Sequence, residues 1–193
     1  MSNYSSVAFQ RVLDPADNAT GGGAASAIAG AMAAALVSMV ARLSIGKGFT
    51  DMEPHYHVLG AEAEALVSEL LAGADEDAEA FDAVSAAYLL PKGTDEERQR
   101  RSTCIQEVLV RASRTPLANA ERCKRVLELS RQLVGRSNPN TASDLECAQL
   151  LARAGLYGCL SNLETNLRAI KDESLHASLS WQAARLRETG KLT

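Results

Sequence analysis

Residues 20–46 read TGGGAASAIAGAMAAALVSMVARLSIG, and the fold turns on what this stretch becomes. Ala24 to Ala41 is a run of eighteen residues without a charge, which meets the length of a membrane span. Most of the run is Ala, with Ser26, Gly30 and Ser38 diluting it further, so a buried core helix fits it better. That helix starts after Thr20-Gly21-Gly22-Gly23, runs to about Ile45, and stops where Gly46-Lys47-Gly48 supplies C-cap chemistry. Ile28, Met32, Leu36, Met39 and Leu43 form a large-residue stripe along it. Ala27, Gly30 or Ala31, Ala34, Ser38 and Ala41 form a small one that invites close helix approach, within a subunit or across a dimer.

The rest of the chain agrees with an all-α reading. Its 193 residues suit a single domain, 1–193, large enough for a real core. Hydrophobic residues make up 46% and aromatics only 4%, a composition for closely packed helices rather than sheets. Twenty Lys+Arg stand against 24 Asp+Glu, too little positive charge for a nucleic-acid partner. Cys104, Cys123, Cys147 and Cys159 lie apart, without CxxC spacing or a His companion, and read as small core residues in a reducing compartment. Residues 1–6 lack a signal-peptide pattern, so the expected location is cytoplasmic and no membrane is expected.

A second helical region follows Pro54, weakens at Gly73 and resumes from about Ala74 to Tyr88, before Leu90-Pro91-Lys92-Gly93 stops it. Thr94-Asp95-Glu96-Glu97 reads as a capping box. The helix it opens is expected to end before Thr115-Pro116, which starts another running to Gly135. Thr141-Ala142-Ser143-Asp144 is a second capping-box match, leading into a helix through Ile170 with a possible break at Gly155 or Gly158. A polar helix over about 172–187 closes a compact, dimer-forming bundle with the long Ala-rich helix at its centre.

On a wheel of about 100° per residue, Asp77 falls in one narrow sector with Phe81, Val84 and Tyr88, opposite Asp75, Glu79 and Asp82. Desolvation raises a carboxyl toward the range where it both accepts and donates a proton. Capping a new helix after Gly73, or pairing with a buried Arg, would place Asp77 there equally well. Asn162 and Asn166 sit four apart on the small-residue face Ala148, Ala152, Gly155, Cys159, suiting either a ligand or interhelical hydrogen bonds. Gly21, Gly22 and Gly23 ahead of a helix suit an anion, and equally a flexible loop. Lys47 and Lys92 lie just past helix ends, where a cation also complements the dipole. His55 and His57 have no third ligand in view, and no metal is expected.

Taken in order, GGGAASAIAGA, IGKG, DEDAEAF, AAYLLPKG, IQ, TPL, NPNTASD and SNLETNL resemble the cyclodeaminase/cyclohydrolase family. That family includes the C-terminal cyclodeaminase domain of formiminotransferase-cyclodeaminase and stand-alone methenyltetrahydrofolate cyclohydrolases. The resemblance spans about residues 6–190 and departs at Asn18-Ala19-Thr20, where a Pro is usual, and at Gly48-Phe49, where a second Lys is common. It implies an all-helical homodimer that acts on a tetrahydrofolate derivative, with no tightly bound cofactor. The activity implied is an ammonia-releasing C–N lyase, the cyclodeaminase, or a cyclic-amidine hydrolase, the cyclohydrolase. It places the catalytic aspartate at Asp77. Gly21, Gly22, Gly23, Lys47, Lys92, Gln106, Asn140, Asp144, Asn162 and Asn166 are the substrate-binding positions it implies, with the polar groups on the pterin edge and the lysines or glycine N–H groups on the glutamate tail. The rival expectation is a non-catalytic helical dimer that binds a folate-like ligand or a partner protein through the same cleft.

Overall fold

A computed structural model describes residues 4–17, 19–47 and 49–191. Among these residues there are six α-helices and no strand: α1 (Tyr4–Leu13), α2 (Gly22–Ser44), α3 (Glu53–Leu89), α4 (Asp95–Leu133), α5 (Ala142–Leu167) and α6 (Glu173–Lys191). The sequence reading had assigned no helix at α1. A long Ala-rich helix does occupy the centre, with α3, α4 and α5 packed around α2. α2 is long and apolar enough to cross a membrane, and 56% of its apolar window is buried inside the bundle.

Its two stripes have different fates. Ala27, Gly30, Ala31, Ala34, Ser38 and Ala41 are all buried, so the small stripe serves close packing within the subunit. Small side chains let neighbouring backbones come near. Ser38 Oγ donates to the Gly60 carbonyl of α3 at 3.0 Å, and a Cβ on Gly155 of α5 would strike the Ser26 carbonyl. The large stripe is the one that faces out, with Met32 55% and Leu43 47% exposed and Ile28, Leu36 and Met39 half-buried.

Two expected breaks are absent. α3 runs unbroken through Gly73, whose missing side chain admits the buried Asn119 of α4; Asn119 Nδ2 donates to the Gly73 carbonyl at 3.0 Å. α4 runs unbroken through Pro116. Proline in a helix interior strips the carbonyl four residues earlier of its N–H partner. That carbonyl, Ala112, instead accepts from Asn166 Nδ2 of α5 at 2.7 Å. A neighbouring helix thus replaces the bond that the sequence removes.

The Thr94 capping box is present, with Thr94 Oγ1 accepting from Glu97 N and Glu97 Oε2 accepting from Thr94 N, both at 3.1 Å. The second is not. Thr141 makes no side-chain cap, and its hydroxyl donates to the Asn138 carbonyl at 2.8 Å. α5 passes Gly155 and Gly158 without interruption and ends at Leu167. Leu70, Leu127, Leu129, Leu133, Leu156, Leu160 and Leu163 are fully buried, each contributing about 1.5–3 kcal/mol. Of the cysteines only Cys123 and Cys159 are buried; Cys147 is exposed, against the expectation of four core thiols.

Candidate active site

α2 and α3 are antiparallel neighbours, and α3 is the longer, at 37 residues against 23. α3 therefore continues past the first turn of α2. Asp77 sits at the level where α2 begins, on the side of α3 that faces the core, and is only 9% exposed. Its carboxylate accepts from Asn162 Nδ2 of α5 at 2.8 Å and from the backbone N–H of Ala24. A helix leaves its first N–H groups unsatisfied, and the N-cap Gly21 offers no side chain to meet them. The carboxylate from α3 does so instead. Three elements, α2, α3 and α5, thus converge on one acid.

Gly23 is what allows it. A Cβ there would overlap both the Asp77 carboxylate and the Asn162 amide. Of the explanations open from the sequence, capping is realised in a form the pattern did not suggest, because the helix capped is α2 and not a new one after Gly73. No ion pair to Asp77 occurs among the described residues, so a buried Arg does not account for it.

Burial pushes the Asp77 carboxyl above the ordinary carboxylate range, and the hydrogen bonds from Asn162 and Ala24 only partly oppose this. A carboxyl so placed changes charge closer to neutrality than a surface aspartate does, which suits it to take up and return a proton. Beyond it the same face of α3 loses its cover as α2 ends. Phe81, one turn on, is 44% exposed, and Tyr88, two turns further, is also exposed, with the Arg101 guanidinium 5.4 Å from its ring centre. Phe81 and Tyr88 thus continue the Asp77 sector of α3 as exposed aromatic side chains.

The other expected site residues are distributed over the molecule. Asn166 lies one turn beyond Asn162 on α5, its amide engaged with the Ala112 carbonyl. Gln106 spans to the α5–α6 turn, donating to the Ala169 carbonyl at 3.1 Å and accepting from Lys171 N at 2.8 Å. Lys92 is exposed in the α3–α4 connection, about 18 Å along α3 from Asp77. Lys47, Asn140 and Asp144 belong to the opposite end of α2, about 33 Å away. There Asn138 ties the ends together, its N–H donating to Ser44 Oγ at 2.8 Å and its Nδ2 to the Leu43 carbonyl at 3.0 Å. A cavity of about 290 Å³ at that end is lined by Phe49, Val134, Asn138, Pro139, Leu145 and Gln149, among others. His55 and His57 are exposed in the first turns of α3.

Sequence reasoning missed Asn119, which binds the carbonyl of Gly73 one turn before Asp77 and accepts from Arg122 at 2.9 Å. The only available signal was a polar residue on the apolar face of α4. It also missed the Ala24 N–H, since a backbone donor leaves no mark in a side-chain pattern.

Comparison with known proteins gives consistent findings. The sequence matches the family described as formiminotransferase-cyclodeaminase over residues 6–185. It is 42% identical over 155 residues to a methenyltetrahydrofolate cyclohydrolase of Methylorubrum extorquens, covering 80% of this chain and 74% of that protein. To the formimidoyltransferase-cyclodeaminase of Rattus norvegicus it is 33% identical over 174 residues, covering 86% of this chain but only 31% of that longer protein. The crystal structure of a formiminotetrahydrofolate cyclodeaminase from Thermotoga maritima superposes with a TM-score of 0.78 at 29% identity, covering 89% of this chain and 82% of that one.

Proposed function

The chain belongs to the formiminotransferase-cyclodeaminase family, and from that premise we propose that it is a folate one-carbon enzyme with Asp77 as its general acid and base. The observation that carries this is the buried Asp77 carboxyl, held by Asn162 and the start of α2, with Phe81 exposed one turn further along α3. The first reading is a methenyltetrahydrofolate cyclohydrolase, supported by the 42% identity to a relative of similar extent. A water molecule adds to the carbon between N5 and N10, and the Asp77 carboxylate takes the proton that water loses. The carboxylic acid returns it to N5 as the N5–carbon bond breaks, and the remaining hydroxyl proton passes to solvent as the carbonyl forms, leaving neutral 10-formyltetrahydrofolate. Asn162 fixes the carboxyl orientation, and Phe81 offers a flat apolar surface to the ring system.

The second reading, supported by the likeness to the Thermotoga cyclodeaminase, uses the same groups. N10 attacks the carbon of the protonated formimino group, Asp77 takes the N10 proton, and the acid returns it to the resulting amine, which departs as ammonia and leaves the methenyl cation. Both readings need only one proton carrier beside one carbon, and neither asks for a tightly bound cofactor. The protein acts as a homodimer, paired through the outward stripe of α2. Initial rates on methenyltetrahydrofolate and on 5-formiminotetrahydrofolate separate the two readings. Turnover of the first alone supports the cyclohydrolase, and release of ammonia from the second supports the cyclodeaminase. Turnover of neither rejects both.

A further inference from the structure

Asp17 and Asp77 are two carboxylates that hold the same helix start from opposite sides. The first turn of α2, residues 22–25, opens with two glycines, each about 1 kcal/mol poorer in a helix than Ala, so it frays unless something holds it. On the core side the Asp77 carboxylate accepts from the Ala24 N–H. Upstream, Asp17 holds the segment that leads in. Its Oδ1 accepts from Ala19 N at 3.2 Å and from Thr20 N at 3.1 Å, and its Oδ2 accepts from Thr20 Oγ1 at 3.4 Å. Ala19 and Thr20 are both buried, so their N–H groups need a protein partner. The Gly21 carbonyl follows directly and accepts from Ala25 N at 3.0 Å, which starts the helix.

Arg11, in the last turn of α1, fixes Asp17. Its Nε donates to Asp17 Oδ2 at 2.8 Å, and Asp75 and Asp82 on the outer face of α3 add their attraction for the guanidinium. α1 is thereby tied to the helix that carries Asp77. The environments of the two acids differ in sign. The Arg11 guanidinium and the N–H groups of the turn hold the Asp17 carboxyl below the usual carboxylate range, whereas burial pushes Asp77 above it.

That difference matters because a general acid and base changes charge in every turnover. A carboxylic acid accepts a hydrogen bond more weakly than a carboxylate does, so the hold of Asp77 on Ala24 loosens each time it takes up a proton. Asp17 stays ionised throughout the range in which Asp77 titrates. Of the groups that face Asp77 from α5, Asn162 is neutral, and contact with Cys123 together with burial pushes the Cys159 thiol far up and keeps it uncharged.

We propose that Asp17 is a positioning residue: anchored by Arg11, it fixes the glycine entry of α2 so that the Ala24 N–H stays aimed at Asp77 while Asp77 changes charge. This rests on the folate reading for the turnover that makes Asp77 cycle, while the hold on the helix start is a property of the protein alone.

Carboxyl NMR on the full chain, labelled with 13C at its aspartate carboxyl carbons and with Asp77→Asn to assign the Asp77 signal, tests the hold without substrate. In Asp17→Ala the Ala24 N–H loses its fixed aim, so the Asp77 midpoint should move to higher pH. Removal of a nearby negative charge alone would move it the other way, so the sign separates positioning from simple electrostatics. Asp17→Asn loses the charge but keeps the Oδ1 acceptor, and should return the midpoint to the wild-type position or below. An Asp17→Ala midpoint that is unmoved or lowered, or an Asp17→Asn midpoint raised as far, overturns the proposal. Amide exchange in the wild type needs no variant. Corrected for its intrinsic pH dependence, exchange at Ala19 and Thr20 should stay slow on both sides of the Asp77 midpoint, and protection lost in step with Asp77 protonation overturns the proposal too. On whichever folate the wild type turns over, the rise of kcat with pH should follow the NMR midpoint upward in Asp17→Ala and stay in place in Asp17→Asn. Wild type that turns over no folate would instead reject the folate reading and leave NMR and exchange to decide the hold.

Discussion

Gly23 and Asp77 lie so close that no side chain fits between them, and this contact joins the start of α2 to the candidate acid on α3. Gly23→Ala forces the carboxylate and the Asn162 amide aside. The expected cost is about 1–3 kcal/mol of stability, with activity falling further than stability because the displaced groups are the reactive ones. Thermal unfolding and steady-state rates on one preparation measure both. Unchanged activity alongside a lowered Tm would mean that the carboxylate position is not critical.

Asp77 also makes a prediction about pH. Burial raises its value in the folded state above the ordinary carboxylate value, so the folded state binds this proton more tightly than the unfolded chain. Below about pH 4 both states are protonated and the group contributes no difference. As pH rises from there through the raised value the unfolded chain ionises first, and stability falls until both states are charged. Asp77→Asn removes this loss. The variant is expected to be more stable than wild type at pH 7–8, with the gap closing toward pH 4, as urea unfolding at several pH values would show. A gap that widens on acidification would reverse the sign of the shift.

Pro116 and Asn166 form a pair that a double-mutant cycle resolves. Asn166→Ala leaves the Ala112 carbonyl without a partner and is expected to cost about 1–3 kcal/mol. Pro116→Ala restores the helical N–H, so in that background the same Asn166 change should cost markedly less. Additive effects would show that the amide is not compensating for the proline.

Phe81 is exposed one turn beyond Asp77 on α3, so on the proposed function its loss should weaken substrate binding while sparing the fold. Phe81→Ala is expected to raise KM about three- to tenfold with Tm nearly unchanged, and Phe81→Tyr should recover most of the loss. An unaltered KM would remove Phe81 from the binding surface.

Helix content and the buried Asp77 were legible in the sequence because both follow from periodicity. Where helices continue was not. Gly73 and Pro116 are local breakers whose cost is met by Asn119, 46 positions from Gly73, and by Asn166, 54 positions from the Ala112 carbonyl that Pro116 leaves open. Distant compensation leaves no local signal. The stripes of α2 were visible, but which one faced inward depended on α3 and α5 bringing glycines to Ser38 and Ser26. The gathering of Gly23, Asp77 and Asn162 was legible residue by residue, while the distance of Lys47, Asn140 and Asp144 from them became visible only with α2 as one unbroken helix of 23 residues between the two groups.

The central claim is that Asp77 carries the proton in a folate ring reaction. Methenyltetrahydrofolate absorbs distinctly, so its gain or loss can be followed directly with purified wild-type and Asp77→Asn protein, alongside equilibrium binding of the same folate. The account predicts turnover by wild type, none above background by Asp77→Asn, and binding retained by both. An undiminished rate in Asp77→Asn would contradict it.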